Sequence, residues 1–250
     1  MLKINAIIQA RMNSSRLPGK VLLPILGKPL LIFLYERLCH SMLLDNIIVA
    51  TSINKSDDSI YDVCKKNKIK VYRGSEENVL KRVFDTASNY QTDILIEIFA
   101  DSPFIDSFFL DQFIGYFLKN IDKIDILTNV KKTTFPPGFE IIIYKKKCIE
   151  YAEKNTSIND PLREHPSQNI LKQQNFLIEN IEAPKHLNYP NYYFEIDSKD
   201  DYEMINQLTK KCIEEKLDVN IFNLIKILNH NPMIANINKN VRRKWKKFRI

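Results

Sequence analysis

Glycine is scarce in this 250-residue chain, five in all, while lysine, isoleucine and asparagine abound. That skew reflects a compositional bias of the source and carries no chemistry. Cysteine is scarce too. The four, at positions 39, 64, 148 and 212, form no Cys-x-x-Cys pair. This argues against a zinc site or a redox motif and for small buried apolar residues. No apolar run is long enough to cross a bilayer. The N-terminal apolar stretch ends at Arg11 with no cleavage pattern behind it, so the expected location is the cytoplasm. Internal repeats, low-complexity linkers and a clear domain boundary are also missing. The expectation is one domain over residues 1–240, with an inserted subregion at about 129–190 and a basic tail at 241–250.

What charge there is sits in one place. The formal net charge is +7, and the last nine residues hold Arg242, Arg243, Lys244, Lys246, Lys247 and Arg249. The body is therefore nearly neutral, which argues against duplex nucleic-acid binding. The tail suits RNA, an anionic membrane or an acidic partner, and equally a solvated end of chain.

Strand-like and helix-like segments alternate through the first half. Residues 4–10, 46–51, 70–72 and 93–99 read as strands. Residues 30–43, 57–68, 75–90 and 107–119 read as helices, with Ser56 offered as a cap for the second and Glu76 and Glu77 in the first turn of the third. This order predicts an α/β fold with a mainly parallel sheet covered by helices. The second half is less regular. Strands are expected at 124–128, 139–144, 176–182 and 192–196, helices at 146–154 and 198–215, and a loop at 155–165. Ligands on parallel sheets bind beyond the carboxyl ends of the strands. The 11–20 loop, Thr51-Ser52, Arg73-Gly74 and Asp101 each follow a strand, so all should crowd one edge.

The loop after the first strand carries the strongest chemical signal. It reads Ala10-Arg11-Met12-Asn13-Ser14-Ser15-Arg16-Leu17-Pro18-Gly19-Lys20. Three cations in ten residues, between an apolar strand and a helix start, suit a phosphate cradle. Asp101 follows one buried strand and Asp197 another. A carboxylate there is placed to hold a divalent ion with phosphate oxygens, or simply to cap the next helix. His165, beside Arg163 in a polar loop, suits either an acceptor contact or a surface position.

IIQARMNSSRLPGKVL, VATS at 49–52, YRGSEENVLKR at 72–82, ADSPFID at 100–106, REH at 163–165 and FEIDSKDDYEMI at 194–205 together resemble a known family. It is the spore-coat polysaccharide cytidylyltransferase-like branch of the CMP-sugar (CMP-Kdo and CMP-sialic acid) synthetases. The resemblance runs in order through about 230 residues. It implies a Rossmann-like, GT-A-like nucleotidyltransferase of three layers, whose inserted subregion serves the acceptor and dimerisation. It implies magnesium-dependent transfer of a nucleotidyl group, usually from CTP, to a sugar acid or sugar phosphate, with release of pyrophosphate for surface-glycan synthesis. Arg11, Arg16 and Lys20 then match the triphosphate-holding positions, within a motif that includes Ala10, Asn13 and Ser14. Asp101 and Asp197 match the metal-binding acids. Thr51, Ser52 and Arg73 fall where base or ribose is contacted, and Glu140, Arg163 and His165 where the acceptor sits.

The departures fall mostly on the acceptor side. Ala100 stands where glycine is common, Glu97 where a basic residue is usual, and Glu140 where aspartate is usual. A GTP-using guanylyltransferase that makes a GDP-sugar, and a nucleotide-binding protein without turnover, remain open beside the cytidylyltransferase.

Overall fold

The computed structural model describes residues 2–243. Its central strand, β1 (Ile4–Gln9), sends Ile4, Ala6 and Ile8 into one apolar core and Ile7 into another. A strand places successive side chains on opposite faces, so a strand apolar on both must be covered on both. After β1 come β2 (Pro24–Ile25), β3 (Lys28–Pro29), α1 (Leu30–Leu38), β4 (Asn46–Ser52), α2 (Asp58–Lys66), β5 (Lys70–Gly74) and α3 (Val79–Asn89). β6 (Ile94–Phe99), α4 (Ser107–Lys119), β7 (Ile126–Thr128), β8 (Ile142–Lys145), α5 (Lys146–Asn155), α6 (Pro166–Lys172) and β9 (Ile178–Asn180) follow. The described chain then runs through α7 (Lys199–Glu214), α8 (Ile221–His230) and α9 (Pro232–Asn236).

The sheet order is β5-β4-β1-β6-β8-β7-β9. β1 is parallel to β4 and β6, and β4 to β5, while β8 is antiparallel to both β6 and β7. The chain steps outward from β1 through β4 to β5, then crosses to β6 on the other side of β1. The crevice beyond the carboxyl ends of β1 and β6 is thus the switch point of a doubly wound sheet, where such folds bind ligands. Helices α1, α4, α7 and α8 cover one face, α3 and α5 the other. Leu30, Leu31, Leu34 and Leu38 form the buried side of α1, at about 1.5–3 kcal/mol for each side chain removed from water. Among the described residues, no helix is long and apolar enough to cross a membrane.

Several expectations need correction. Residues 192–196 join no sheet. They run beside Asp101 and Pro137 with a bend at Glu195, held by Ile196 N–H to Asp101 O at 2.8 Å and Phe194 N–H to Pro137 O at 2.7 Å. α3 begins at Val79 because Asn78 caps it, accepting from Lys81 N–H at 3.0 Å, so Glu76 and Glu77 precede the helix. Asn54, not Ser56, caps the turn that leads into α2. The phosphate-type loop ends in a single 3-10 turn at Lys20–Leu22, and α1 starts only after the β2–β3 hairpin. The 155–165 stretch contains a 3-10 turn at Pro161–Glu164. Cys64, Cys148 and Cys212 are buried, but Cys39 is exposed.

Candidate active site

The loop after β1 is shaped by its own backbone. The Met12 carbonyl accepts from Ser14 and Gly19 N–H, both at 2.9 Å. Gly19 sits at φ +72°, where a side chain is strained. This left-handed residue turns Lys20 inward. The loop is tied to the sheet by Asp57, which is fully buried and accepts from Met12 N–H at 2.7 Å, Thr51 Oγ1 at 3.1 Å and Ser52 Oγ at 2.5 Å.

Lys20 lies at the centre of the site. Its Nζ is 2.6 Å from Asp101 Oδ2 and 2.9 Å from Asp197 Oδ1, and it donates to the Ile196 carbonyl at 2.8 Å. Arg16 pairs with the other oxygen of Asp197 at 2.5 Å. Burial alone would lower the Lys20 ammonium, but the charges of Asp101 and Asp197 outweigh it, and its pKa is raised. Burial likewise pushes Asp197 up, but Lys20 and Arg16 outweigh it and hold Asp197 below the usual carboxylate range. Asp101 moves the other way, raised by burial and by the neighbouring Asp197 against the pull of Lys20.

A cavity of about 710 Å³ opens in front of these groups. Ala10, Arg11, Asn13, Ser14, Arg16, Lys20, Asp101, Glu140, His165 and Asp197 all line it, so the structure brings together most of the residues singled out in the sequence. Arg11 reaches Glu164 at 3.0 Å, and Asn13 donates to Glu76 at 2.7 Å. Glu140 accepts from Gly138 N–H at 2.8 Å. His165 is half-buried, its pKa lowered by burial first and by Arg11 as well. A second, mainly apolar cavity of about 870 Å³, lined by Phe33, Phe109, Phe113 and Ile221, lies elsewhere and holds none of these groups.

Four of the expected ligand contacts do not line the cavity. Thr51 and Ser52 are fully buried and spend their hydroxyls on Asp57. Arg73 donates to the carbonyls of Ser52 and Asn54 and pairs with Asp58 at 2.8 Å. Arg163 is buried against Asn78, the Thr156 carbonyl and Glu153. These side chains brace the loops around the site, because each has protein partners for its polar atoms.

Two other wall residues, Arg82 and Glu195, lie within the motifs at 72–82 and 194–205 but were not among the expected site residues. Arg82 is 2% exposed, donates to the Ser75 carbonyl at 2.6 Å, and is pulled down to about 10 by burial and by Arg11. Glu195 lines the cavity two residues before Asp197. Their place in those motifs was the available signal.

The donor set also bears on a divalent ion. A cation, the Lys20 ammonium, already bridges Asp101 and Asp197. Among the described residues no group of three or more His, Cys, Asp or Glu converges on one point. Two carboxylates suit magnesium, which takes one or two and completes its shell with phosphate oxygens and water.

The sequence matches the cytidylyltransferase family over residues 5–221. This chain belongs to the cytidylyltransferase family. A solved cytidylyltransferase from Leptospira borgpetersenii is 32% identical and superposes with a TM-score of 0.84, covering 97% of this chain and 99% of that one. The spore coat polysaccharide biosynthesis protein SpsF of Bacillus subtilis is 34% identical over 235 residues, 92% of this chain and 95% of its own. A CMP:2-keto-3-deoxy-manno-octonic acid synthetase solved with CTP shares the fold at 18% identity, with a TM-score of 0.63 over 84% of this chain and 99% of its own. This cytidylyltransferase-family chain is thus a nucleotidyltransferase enzyme with the doubly wound fold of the group.

Proposed function

We propose that this enzyme transfers the cytidylyl group of CTP to an acceptor sugar that carries a carboxylate or phosphate, releasing pyrophosphate to supply surface-glycan synthesis. The carrying observation is the Lys20 ammonium between Asp101 and Asp197, beside Arg16, at the mouth of the loop after β1. Membership of the cytidylyltransferase family supports the choice of CTP.

An acceptor phosphate oxygen, or an acceptor hydroxyl that gives up its proton to water, attacks the α-phosphorus. A new phosphorus–oxygen bond forms, the α–β bridging bond breaks, and pyrophosphate leaves with the electron pair. Arg11, Arg16 and Lys20 hold the phosphates and neutralise the charge that builds on the leaving pyrophosphate. Asp101 and Asp197 would hold magnesium, which when bound supplies further charge neutralisation at the phosphate oxygens. Glu140 and His165 face the same cavity and orient the acceptor. The rate then comes from positioning and electrostatics, without a covalent enzyme intermediate.

The test is thermal shift with CTP, GTP, UTP and ATP, each with magnesium, on wild type and Asp101→Asn. Ligand that binds only the folded state raises its melting temperature. The expected result is a CTP-selective, magnesium-dependent shift that shrinks in the variant. Pyrophosphate release with sugar acids and sugar phosphates would then name the acceptor class. A GTP-selective shift would replace this reading with the guanylyltransferase, and no shift with any nucleotide would sink both.

A further inference from the structure

The basic end of the chain begins inside the fold. Lys244, Lys246, Lys247 and Arg249 lie outside the described residues, but Arg242 and Arg243 do not. A solvated tail is not what the structure shows for Arg243, whose side chain is 1% exposed. Its Nη2 is 2.6 Å from Asp201 Oδ1, its Nη1 is 3.4 Å from Glu195 Oε1, and its guanidinium lies 4.3 Å from the centre of the Tyr193 ring. Asn238 adds a second tie, donating to Asp201 Oδ1 and to the Tyr193 carbonyl, both at 2.9 Å.

Asp201 passes this contact on to the site. Its other oxygen accepts from Asp197 N–H at 3.0 Å, from Ser198 N–H at 2.8 Å and from the Ser198 hydroxyl at 2.8 Å. Arg16 is reached separately, since it donates to the Arg242 carbonyl at 3.2 Å. Both partners across the Asp197–Arg16 ion pair are therefore braced by the same terminal segment. The electrostatics explain why a cation is needed there. Glu195, Asp197 and Asp201 are buried acids within seven residues, and Arg16 and Lys20 pair only with Asp197 among them. Arg243 pairs with both of the other two, and removing the partner of a buried charge such as Asp201 forces the surrounding structure to give way.

We propose that Arg243 is a positioning residue of this active site. It fixes the 195–201 segment so that Asp197 and Arg16 keep the geometry the nucleotide's phosphates require. The proposal rests on the reading of Asp197 and Arg16 as phosphate- and metal-facing groups. A shift of about 1 Å in such groups costs on the order of 100-fold in rate.

The experiment compares full-length wild type, Arg243→Ala, Arg243→Lys and a control with Lys244, Lys246, Lys247 and Arg249 all changed to alanine. Each is measured below its melting temperature for CTP turnover per folded molecule and for the thermal shift produced by CTP with magnesium. Arg243→Ala is expected to lose roughly 10- to 100-fold in kcat, to need more magnesium and to show a reduced CTP shift. Arg243→Lys keeps the charge without the fork that spans Glu195 and Asp201, so it should recover part of the loss. The four-site control removes basic charge from the same end of the chain while leaving Arg243 in place, so it should stay within about twofold of wild type. Wild-type kcat and CTP shift in Arg243→Ala, whatever its melting temperature, would overturn the proposal. So would equal impairment of the four-site control. Should Arg243→Ala not fold, Arg243→Lys decides: unchanged turnover refutes the role. Failure of the underlying reading looks different, because then wild type itself gives no CTP shift.

Discussion

Glu97 gives this enzyme a stability that should depend on pH in a way that can be worked out in advance. It sits in β6, fully buried, and accepts from Gln9 Nε2 at 2.7 Å and from the Tyr144 hydroxyl at 3.2 Å. Burial pushes its carboxyl from 4.5 up to about 7, against the opposing hydrogen bonds from Gln9, Tyr144 and Ser167. Between pH 4.5 and about 7 the folded state therefore holds a proton that the unfolded chain has released. Stability from this group is fully present below pH 4.5 and is lost as the pH rises to about 7. At about 1.4 kcal/mol per unit, the loss is about 3 kcal/mol. For a chain of this size that is on the order of 6–12 °C in Tm. Glu97→Gln keeps the shape and removes the charge, and the Tyr144 hydroxyl can turn to accept from the new amide. Denaturant unfolding of both proteins from pH 4.5 to 8 is the assay. The variant should gain on wild type steadily up to pH 7 and then hold a constant lead. Other titrating groups act in both proteins and cancel in the difference. Parallel curves would show that Glu97 does not titrate in this window and would refute the reasoning.

Two further outcomes follow from the geometry. Lys20→Ala removes the ammonium that joins Asp101 to Asp197 and should cut turnover by ~100-fold, the scale of losing one preorganised donor to a developing anion; near-normal pyrophosphate release from folded variant would refute the assignment. Gly138→Ala puts a methyl group 2.6 Å from the Phe194 carbonyl carbon at a φ of +102°. It should cost about 2–4 kcal/mol and weaken CTP binding, because the displaced segment carries Asp197; an unchanged melting curve would contradict that packing.

The fold and the placing of the basic loop and Asp101 at one cavity were legible because their signals are local. β1 is an apolar run that stops at a loop with three cations, and β6 is an apolar run that stops at an acid. Such strand-to-loop switches mark the sheet's carboxyl edge whatever the rest of the chain does. The supporting side chains were less legible. Thr51, Ser52, Arg73 and Arg163 belong to the right loops, but whether a polar side chain faces the cavity or a neighbouring loop depends on which partner is docked beside it. For Thr51 and Ser52 that partner is Asp57, and for Arg163 it includes Asn78, 85 residues away.

Residues 192–196 show the same division. Their alternation reads as a strand, yet the chain bends at Glu195 and they pair with no strand, because Gly138 and Asp101 seat them at the sheet's end. The sequence by itself determined the alternation of β1, β4, β5 and β6 with α1 to α4, the parallel centre of the sheet, the basic loop after β1 and the acid after β6, since each depends on residues close together in the chain. Only the tertiary structure decided that Lys20 bridges Asp101 and Asp197, that Glu97 is buried enough to titrate near 7, and that Arg243 is a buried counter-charge to Glu195 and Asp201. Charge pairing and desolvation depend on distance in space, and here that distance is set by segments far apart in the chain, 177 residues for Lys20 and Asp197.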